Sequence, residues 1–256
     1  MTKFKKEVAD RIKLNARNSA LVKTAKNFMI LSAQSKYSYN YSALGRPIIQ
    51  YPQDMIAIQE LIWQIKPDLI IETGIAHGGS LIMSASMLSL LDTCDAIELD
   101  KKLNPKISSR KALGIDIDIR KHNLDAIENH PMSSRIQMIQ GSSIDPYIIK
   151  KVKKIAAKYQ RILVLLDSNH THDHVLKELK AYAPLVSKGS YCIVYDTIIE
   201  DLPEDIFKDR PWGPGNNPKT AVYEYLKNYS DFEIDKTIQD KLLISVAPEG
   251  YLKKIR

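Results

Sequence analysis

The chain has 256 residues, 44% hydrophobic and 26% charged, which suits one large α/β domain with a helical extension and excludes a disordered tail or a peptide-sized module. Its formal charge of +7 is local: residues 1–36 hold nine basic and two acidic side chains, whereas the other 220 carry 28 of each. So neutral a body excludes a nucleic-acid cradle, no apolar run approaches the ~20 residues of a membrane helix, and two cysteines, Cys94 and Cys192, are too few for a disulfide framework and point to reducing cytoplasm.

Residues 5–33 read as one helix, with Val8, Ile12, Leu21, Ala25, Phe28 and Met29 at helical intervals and basic residues between them. It lacks a signal peptide's apolar stretch, and Glu7 and Asp10 argue against a transit peptide. Its basic face suits packing against another subunit or weak attachment to a membrane surface. Tyr37–Tyr51, rich in tyrosine and carrying Gly45 and Pro47, reads as an ordered loop, and residues 53–65 as a helix ending before Pro67. Strands then follow at 68–72, 112–119, 135–140, 161–167 and 190–196, with helices at 81–91, 122–129, 146–158 and 173–183 between them. This alternation predicts a Rossmann-like, mainly parallel sheet covered on both faces. Residues 92–111 read as an inserted loop, and 232–237 with 241–247 as a closing antiparallel pair. The chain divides into an N-terminal helical arm and loop, residues 1–55, and an α/β domain, residues 56–256.

The first strand runs into Glu72-Thr73-Gly74-Ile75-Ala76-His77-Gly78-Gly79-Ser80. In a doubly wound sheet, ligands sit beyond the carboxyl ends of the strands, where glycines let them approach the backbone. The spacing 74, 76, 79 imitates the dinucleotide fingerprint G-x-A-x-x-G. An acid two residues before the first glycine, with small residues at 76 and 78, instead resembles the first motif of S-adenosylmethionine (AdoMet) methyltransferases. A tight strand–helix turn without a ligand is the third reading. Near the end of the second strand, Asp116 and Asp118 are placed to hydrogen-bond the ribose hydroxyls of either cofactor. They follow Gly74 by 42 and 44 residues, against ~20 in a compact fingerprint, and the 92–111 insertion accounts for the excess. A competing second strand, Ala96–Leu99 with Glu98, fits the spacing better but is short, so Asp116 is preferred.

The fourth strand ends in Asp167-Ser168-Asn169-His170-Thr171-His172-Asp173-His174 and the fifth in Tyr195-Asp196-Thr197. Neighbouring parallel strands bring Asp167 and Asp196 to one rim, where two carboxylates suit Mg²⁺, a hard cation that takes oxygen ligands. Such a metal acidifies a bound hydroxyl, and a nearby base removes the proton. His170 follows Asp167 by three residues and can reach the same pocket, and with an unperturbed pKa of ~6.5 a histidine is a natural base near neutrality. Asp173 reads as the N-cap of the next helix, and His172 and His174 as supporting or surface groups. Three alternating histidines are poorly spaced for zinc. An oxygenase's iron triad takes two histidines and a carboxylate, and its usual His-x-Asp pair is missing.

Over about residues 37–250 these runs resemble the cephalosporin hydroxylase family, whose members have an AdoMet-dependent methyltransferase fold. The similarity is carried by Tyr37–Asn40, Leu44–Asp54, Glu72–Ser80, Gly114–Arg120, Leu166–His174 and Arg210–Lys219. It implies AdoMet held by Glu72, Gly74, Ala76, His77, Gly78, Gly79 and Ser80 together with Asp116, Ser142 and Asp167. It also implies Mg²⁺-assisted O-methylation of a small molecule or sugar precursor, with Asp167 and Asp196 as metal ligands, His170 as the catalytic histidine, and an assembly of like subunits. Tyr195 stands where the family pattern has a second metal acid, leaving water, Glu200 or Asp201 to complete the coordination. Ala43 replaces an aromatic residue expected in a pocket wall. The loop Pro211–Lys219, with Trp212, covers the site and excludes water. Two alternatives follow from the same residues. One is an iron-dependent hydroxylase, as the family's name suggests; the other is a non-catalytic partner that keeps the cofactor fold, as Tyr195 suggests.

Overall fold

Residues 2–256 are described by a computed structural model, in which the arm is two helices, α1 (Lys3–Arg17) and α2 (Ser19–Gln34). They separate at Asn18, whose side chain accepts the Leu21 N–H at 3.1 Å and caps α2. Apolar spacing misses this break because Asn18 is solvent-exposed. The expected loop at 37–51 holds a 3₁₀ turn, Tyr37–Asn40, and a hairpin of β1 (Tyr41–Ala43) and β2 (Arg46–Ile48). Leu44 and Gly45 turn the hairpin at φ 47° and 85°. Such turns favour Asn-Gly, so leucine in the first position hid the hairpin. α3 (Pro52–Ile65) starts on its proline, and the 55/56 boundary therefore falls within a helix.

Among the described residues, seven strands form the main sheet: β3 (Leu69–Thr73), β4 (Lys111–Asp116), β5 (Ile136–Gln140), β6 (Ile162–Leu166), β7 (Tyr191–Val194), β8 (Phe232–Ile234) and β9 (Tyr251–Lys254). Their order is β5-β4-β3-β6-β7-β9-β8. β3 to β7 are parallel, and β9 runs antiparallel to both β7 and β8. Alternation along each strand splits the core. Ile71, Leu113, Val164 and Val194 face one buried cluster, whereas Ile70, Ala112, Leu163 and Ile193 face the other. The first is covered by α6 (Pro146–Ala156), α7 (His172–Tyr182) and α8 (Pro218–Asn228), and the second by α3, α4 (Gly79–Glu98) and α5 (Lys121–Glu128). Each fully buried Leu, Ile or Val side chain contributes about 1.5–3 kcal/mol of transfer free energy.

Four expectations need correcting. α4 continues to Glu98, so residues 92–98 are helical, the insertion shrinks to 99–110, and the competing strand at 96–99 does not exist. β4 stops at Asp116, which leaves Asp118 exposed beyond the sheet. The closing antiparallel pair forms, but its second strand is β9 at 251–254. Residues 236–242 are helix α9 (Lys236–Leu242), because Asp235 accepts the Thr237 N–H at 3.0 Å and starts a helix there. Finally, α4 is long and apolar enough to cross a membrane by length and composition, yet Leu81, Ile82, Ala85 and Leu88 bury its inner face against the sheet.

Candidate active site

The strand order reverses between β3 and β6, so the topological switch point lies where Gly74 and Asp167 leave the sheet. The two backbones nearly touch: a Cβ on Gly74 would stand 2.0 Å from the Asp167 carbonyl oxygen, and Gly74 has φ 88°. Only glycine fits there. Gly78, at φ 84°, turns the chain into α4. Between them, Asp116 Oδ2 accepts the Ile75 and Ala76 N–H groups at 2.7 and 3.2 Å, which holds Ala76 at φ 46°. Asn123 donates to the Ala76 carbonyl at 3.0 Å, and Arg46 bridges the His77 carbonyl and Asn123 Oδ1 at 2.7 and 2.8 Å. A Cβ on Gly79 would meet the Pro47 carbonyl, so the β1–β2 hairpin packs directly on the start of α4. The glycine loop is a braced cradle, and Asp116 is one of its braces.

Acids dominate the rim beside that cradle. Glu72 is 2% exposed; Ser80 donates its hydroxyl to Oε1, while Oε2 has no partner. Burial, with the Asp116 charge adding, pushes the Glu72 carboxyl up to about 7 against the Ser80 bond. Burial and the charges of Asp196, Glu72 and Glu178 push Asp167 well above the usual carboxylate range. Asp196 leaves β7 at φ 55°, a conformation that only Gly, Asn and Asp adopt readily. His170 Nε2 lies 3.3 Å from Asp196 Oδ2, and the ligand atoms of Asp167, His170 and Asp196 all lie within 4.8 Å of one another. Trp212, from the Pro211–Lys219 loop, meets the imidazole edge-on with ring centroids 4.7 Å apart. One histidine with two carboxylates is the reverse of the iron triad's composition.

The other sequence candidates separate. His172 and His174 are engaged elsewhere: His172 reaches Thr220 Oγ1 and Glu224 Oε2 at 2.8 and 3.0 Å, and His174 reaches Ser143 and Ser168 at 3.0 and 3.2 Å. With His170 turned to Asp196, the three histidines make no zinc site. Asp173 sits in the first turn of α7, and Thr171 occupies the N-cap position. Glu200 and Asp201 do not complete the metal site. Glu200 holds the lid loop through the Gly215 N–H at 2.8 Å and the Asn217 amide, and Asp201 pairs with Lys219. Tyr195 is buried with its hydroxyl unpartnered, beside Glu72 and Asp167 around a cavity of about 10 Å³. Ala43 is buried in the hairpin and lines no part of the main cavity. Sequence reasoning passed over Asp54 of α3, fully buried and pushed up to about 6 by its burial despite bonds from Ser245, Val246 and Tyr251. An acid on the apolar face of a helix was the available signal.

A cavity of about 450 Å³ opens over the rim. Gly74, Ala76, His77, Gly79, Ser80 and Asp167 line one side, with Asp196 and His170 at the floor. Asp116 and Ser142 lie outside it, at the carboxyl ends of β4 and β5. Met29 of the arm, Leu202, Phe207 and Trp212 belong to its apolar lining. The lid is held shut on itself: Asn217 caps α8 in a capping box and donates to the Gly213 carbonyl at 2.9 Å.

Residues 35–255 match the family model described as Rhamnosyl O-methyltransferase/CmcI, so the match leaves out the basic arm up to residue 34. A rhamnosyl O-methyltransferase of Mycobacterium tuberculosis (strain ATCC 25618 / H37Rv) is 29% identical over 204 residues, 78% of this chain and 72% of the relative. One from Mycobacterium leprae is 25% identical over 213 residues, 82% and 81%. Among solved structures, CmcI with Mg and SAM aligns with a TM-score of 0.55 at 17% identity, covering 85% of this chain and 78% of that one. An O-methyltransferase from Bacillus cereus in complex with SAH aligns at 0.50 and 13%, covering 82% and 81%.

Proposed function

The chain belongs to the rhamnosyl O-methyltransferase/CmcI family and is an AdoMet-dependent O-methyltransferase, and from that premise we propose that it methylates a sugar hydroxyl with the help of Mg²⁺ held by Asp167 and Asp196. The observation that carries this reading is the uncompensated acid rim. The charges of Asp196 and Glu72 both raise Asp167, His170 pairs with Asp196, and Glu72 Oε2 is buried without a partner. Such a site is complete only with cations in it, and a sulfonium and a hard divalent ion are both cations. Oxygen donors, and the absence of cysteine among them, fit magnesium. The named relatives point to the sugar.

AdoMet supplies an already activated methyl group, so the protein's task is alignment and removal of one proton. The Gly74–Ser80 cradle fixes the cofactor's place, and Glu72 and Ser80 offer its ammonium group a buried acceptor. His170 takes the acceptor's proton, and the imidazolium is stabilised by Asp196 Oδ2 at 3.3 Å. Trp212 packs on the imidazole and keeps water from it. With Tyr195 in place of one acid of the family's metal pattern, Asp167 and Asp196 are the carboxylates that would hold Mg²⁺, and the ion would acidify the acceptor hydroxyl. Calorimetry with AdoMet and NAD⁺, with and without Mg²⁺, tests the reading. AdoMet binding that tightens with Mg²⁺ is expected; binding of NAD⁺ alone would sink it. Iron-dependent consumption of O₂ would return the hydroxylase alternative.

A further inference from the structure

The catalytic floor of the cavity is acidic, but two cations also line it: Lys36, just after α2, and Arg210, where the lid loop begins. Both are exposed, so they stand at the mouth. Among the described residues neither is paired with a carboxylate, although Glu204, Asp205 and Asp209 adjoin Arg210 in the chain and the other lid cation, Lys219, is paired with Asp201. The backbone of Lys36 and the side chain of Arg210 are both held in place. Lys36 sits at φ 54°, fixed between its own N–H bond to Ala33 at 3.1 Å and the Tyr39 N–H bond to its carbonyl at 3.0 Å. The Arg210 guanidinium lies 5.4 Å from the centre of the Trp212 ring, and that ring meets His170. One free cation therefore stands a single indole away from the base, and a second comes from the end of the arm. Between them the wall is apolar, formed by Met29, Leu202 and Phe207.

This polarity selects an elongated acceptor with unlike ends. A hydroxyl belongs at the acidic floor, where an anion would be repelled, and an anion belongs at the mouth, where two unpaired cations offer charge-assisted hydrogen bonds. An arginine fork fits phosphate in particular. We propose that the acceptor is a phosphorylated sugar, its hydroxyl directed to His170 and its phosphate or diphosphate held at the cavity mouth by Lys36 and Arg210. The inference rests on the methyltransferase reading. It assigns the two residues to acceptor selection, and it gives the arm, through Lys36, a share in the site.

Methyl transfer to four deoxyhexose acceptors tests it: the neutral methyl glycoside, the 1-phosphate, the nucleoside-diphosphate sugar and an isoprenoid-diphosphate sugar. The phosphorylated acceptors are expected to show KM values at least ~10-fold below the neutral one, as one or two charge-assisted hydrogen bonds would give. The nucleotide and isoprenoid arms then separate a soluble from a lipid-linked source. Lys36→Asn, which suits the left-handed backbone, and Arg210→Gln should each erase most of that preference while leaving AdoMet affinity unchanged by calorimetry. A neutral glycoside used equally well overturns the proposal. So does an AdoMet affinity that falls in step with the two substitutions, since the cations would then serve the cofactor's own carboxylate. Should none of the four be methylated, a nucleoside diphosphate titrated into the AdoMet-loaded protein decides: binding lost in both variants supports the proposal, and no binding overturns it. Failure to bind AdoMet at all would instead remove the methyltransferase reading beneath it.

Discussion

The two ends of the parallel strands carry similar acids in opposite circumstances. At the amino ends, Asp92 accepts bonds from Arg110 and Arg135, and Asp95 from Arg110; Arg135 is only 1% exposed. Burial alone would raise Asp92, but the bonds from Ser108, Arg135 and Arg110 hold it below the usual carboxylate range, and the Arg110 bond does the same for Asp95. At the carboxyl ends, Glu72, Asp167 and Asp54 are all pushed upward, chiefly by burial. One end is closed electrostatically and stabilises the fold. The other is left open, and its unbalanced charge is what a cofactor and a metal would complete.

The largest expected contrast comes from one substitution at each end. His170→Ala should lower kcat by ~10²–10⁴-fold, with melting temperature and AdoMet affinity nearly unchanged. Arg135→Met should do the reverse. It leaves Asp92 with Arg110 and Ser108 as its remaining partners and costs about 1.5–3 kcal/mol, a fall in melting temperature of about 5 °C at this size, while kcat at low temperature holds. Activity assays paired with thermal denaturation check both. A His170 variant that melts early, or an Arg135 variant that stays stable, would break the division between the two ends.

The division also marks how far the sequence could be read. The five parallel strands and the glycine loop were legible because apolar runs and glycine spacing are local signals. The Asp167–His170–Asp196 set was legible because parallel strands must end on one rim. The β1–β2 hairpin was not, since Leu44 is a poor marker for a left-handed turn. α9 was not either, because Asp235 makes a helix from a stretch whose pattern reads as strand. Least legible was compensation. That Glu200 and Asp201 are spent on the lid, and that Asp54 lies buried behind the site, depends on contacts between segments far apart in the chain.

A pH titration of the cofactor-free protein sharpens the comparison further. Glu72, raised from 4.5 to about 7, binds a proton in the folded state that the unfolded state has already lost across that window. Stability should therefore fall as pH rises from 4.5 to 7, by at most about 1.4 kcal/mol per pH unit for this group. Asp54 adds the same sign between 3.8 and about 6. The lowered acids Asp92 and Asp95 act oppositely: their contribution is present above 3.8 and is lost as pH falls below it. Denaturant unfolding across pH should show Glu72→Gln flattening the upper window and leaving the acid limb intact. A decline unchanged in that variant would mean that Glu72 is not the open end's titrating group.

The smallest effect is the most diagnostic, because one atom exchanged should move stability and function apart. Asp196 sits at φ 55°, where asparagine is at least as comfortable as aspartate, and its charge raises both Asp167 and Asp54. Asp196→Asn keeps the shape, removes one of the facing charges, and should stabilise the cofactor-free protein by about 1 kcal/mol, or 2–4 °C. The same substitution takes away a proposed magnesium ligand and the acceptor for His170, so Mg²⁺-dependent tightening of AdoMet binding should disappear. The matched change at the closed end, Asp92→Asn, should lower stability, since Arg110 and Arg135 lose their counter-charge. Opposite signs for the same chemical substitution would show that the open rim is held against the fold's own preference, for the sake of ligand binding. Equal signs would mean that Asp196 is a structural acid like Asp92.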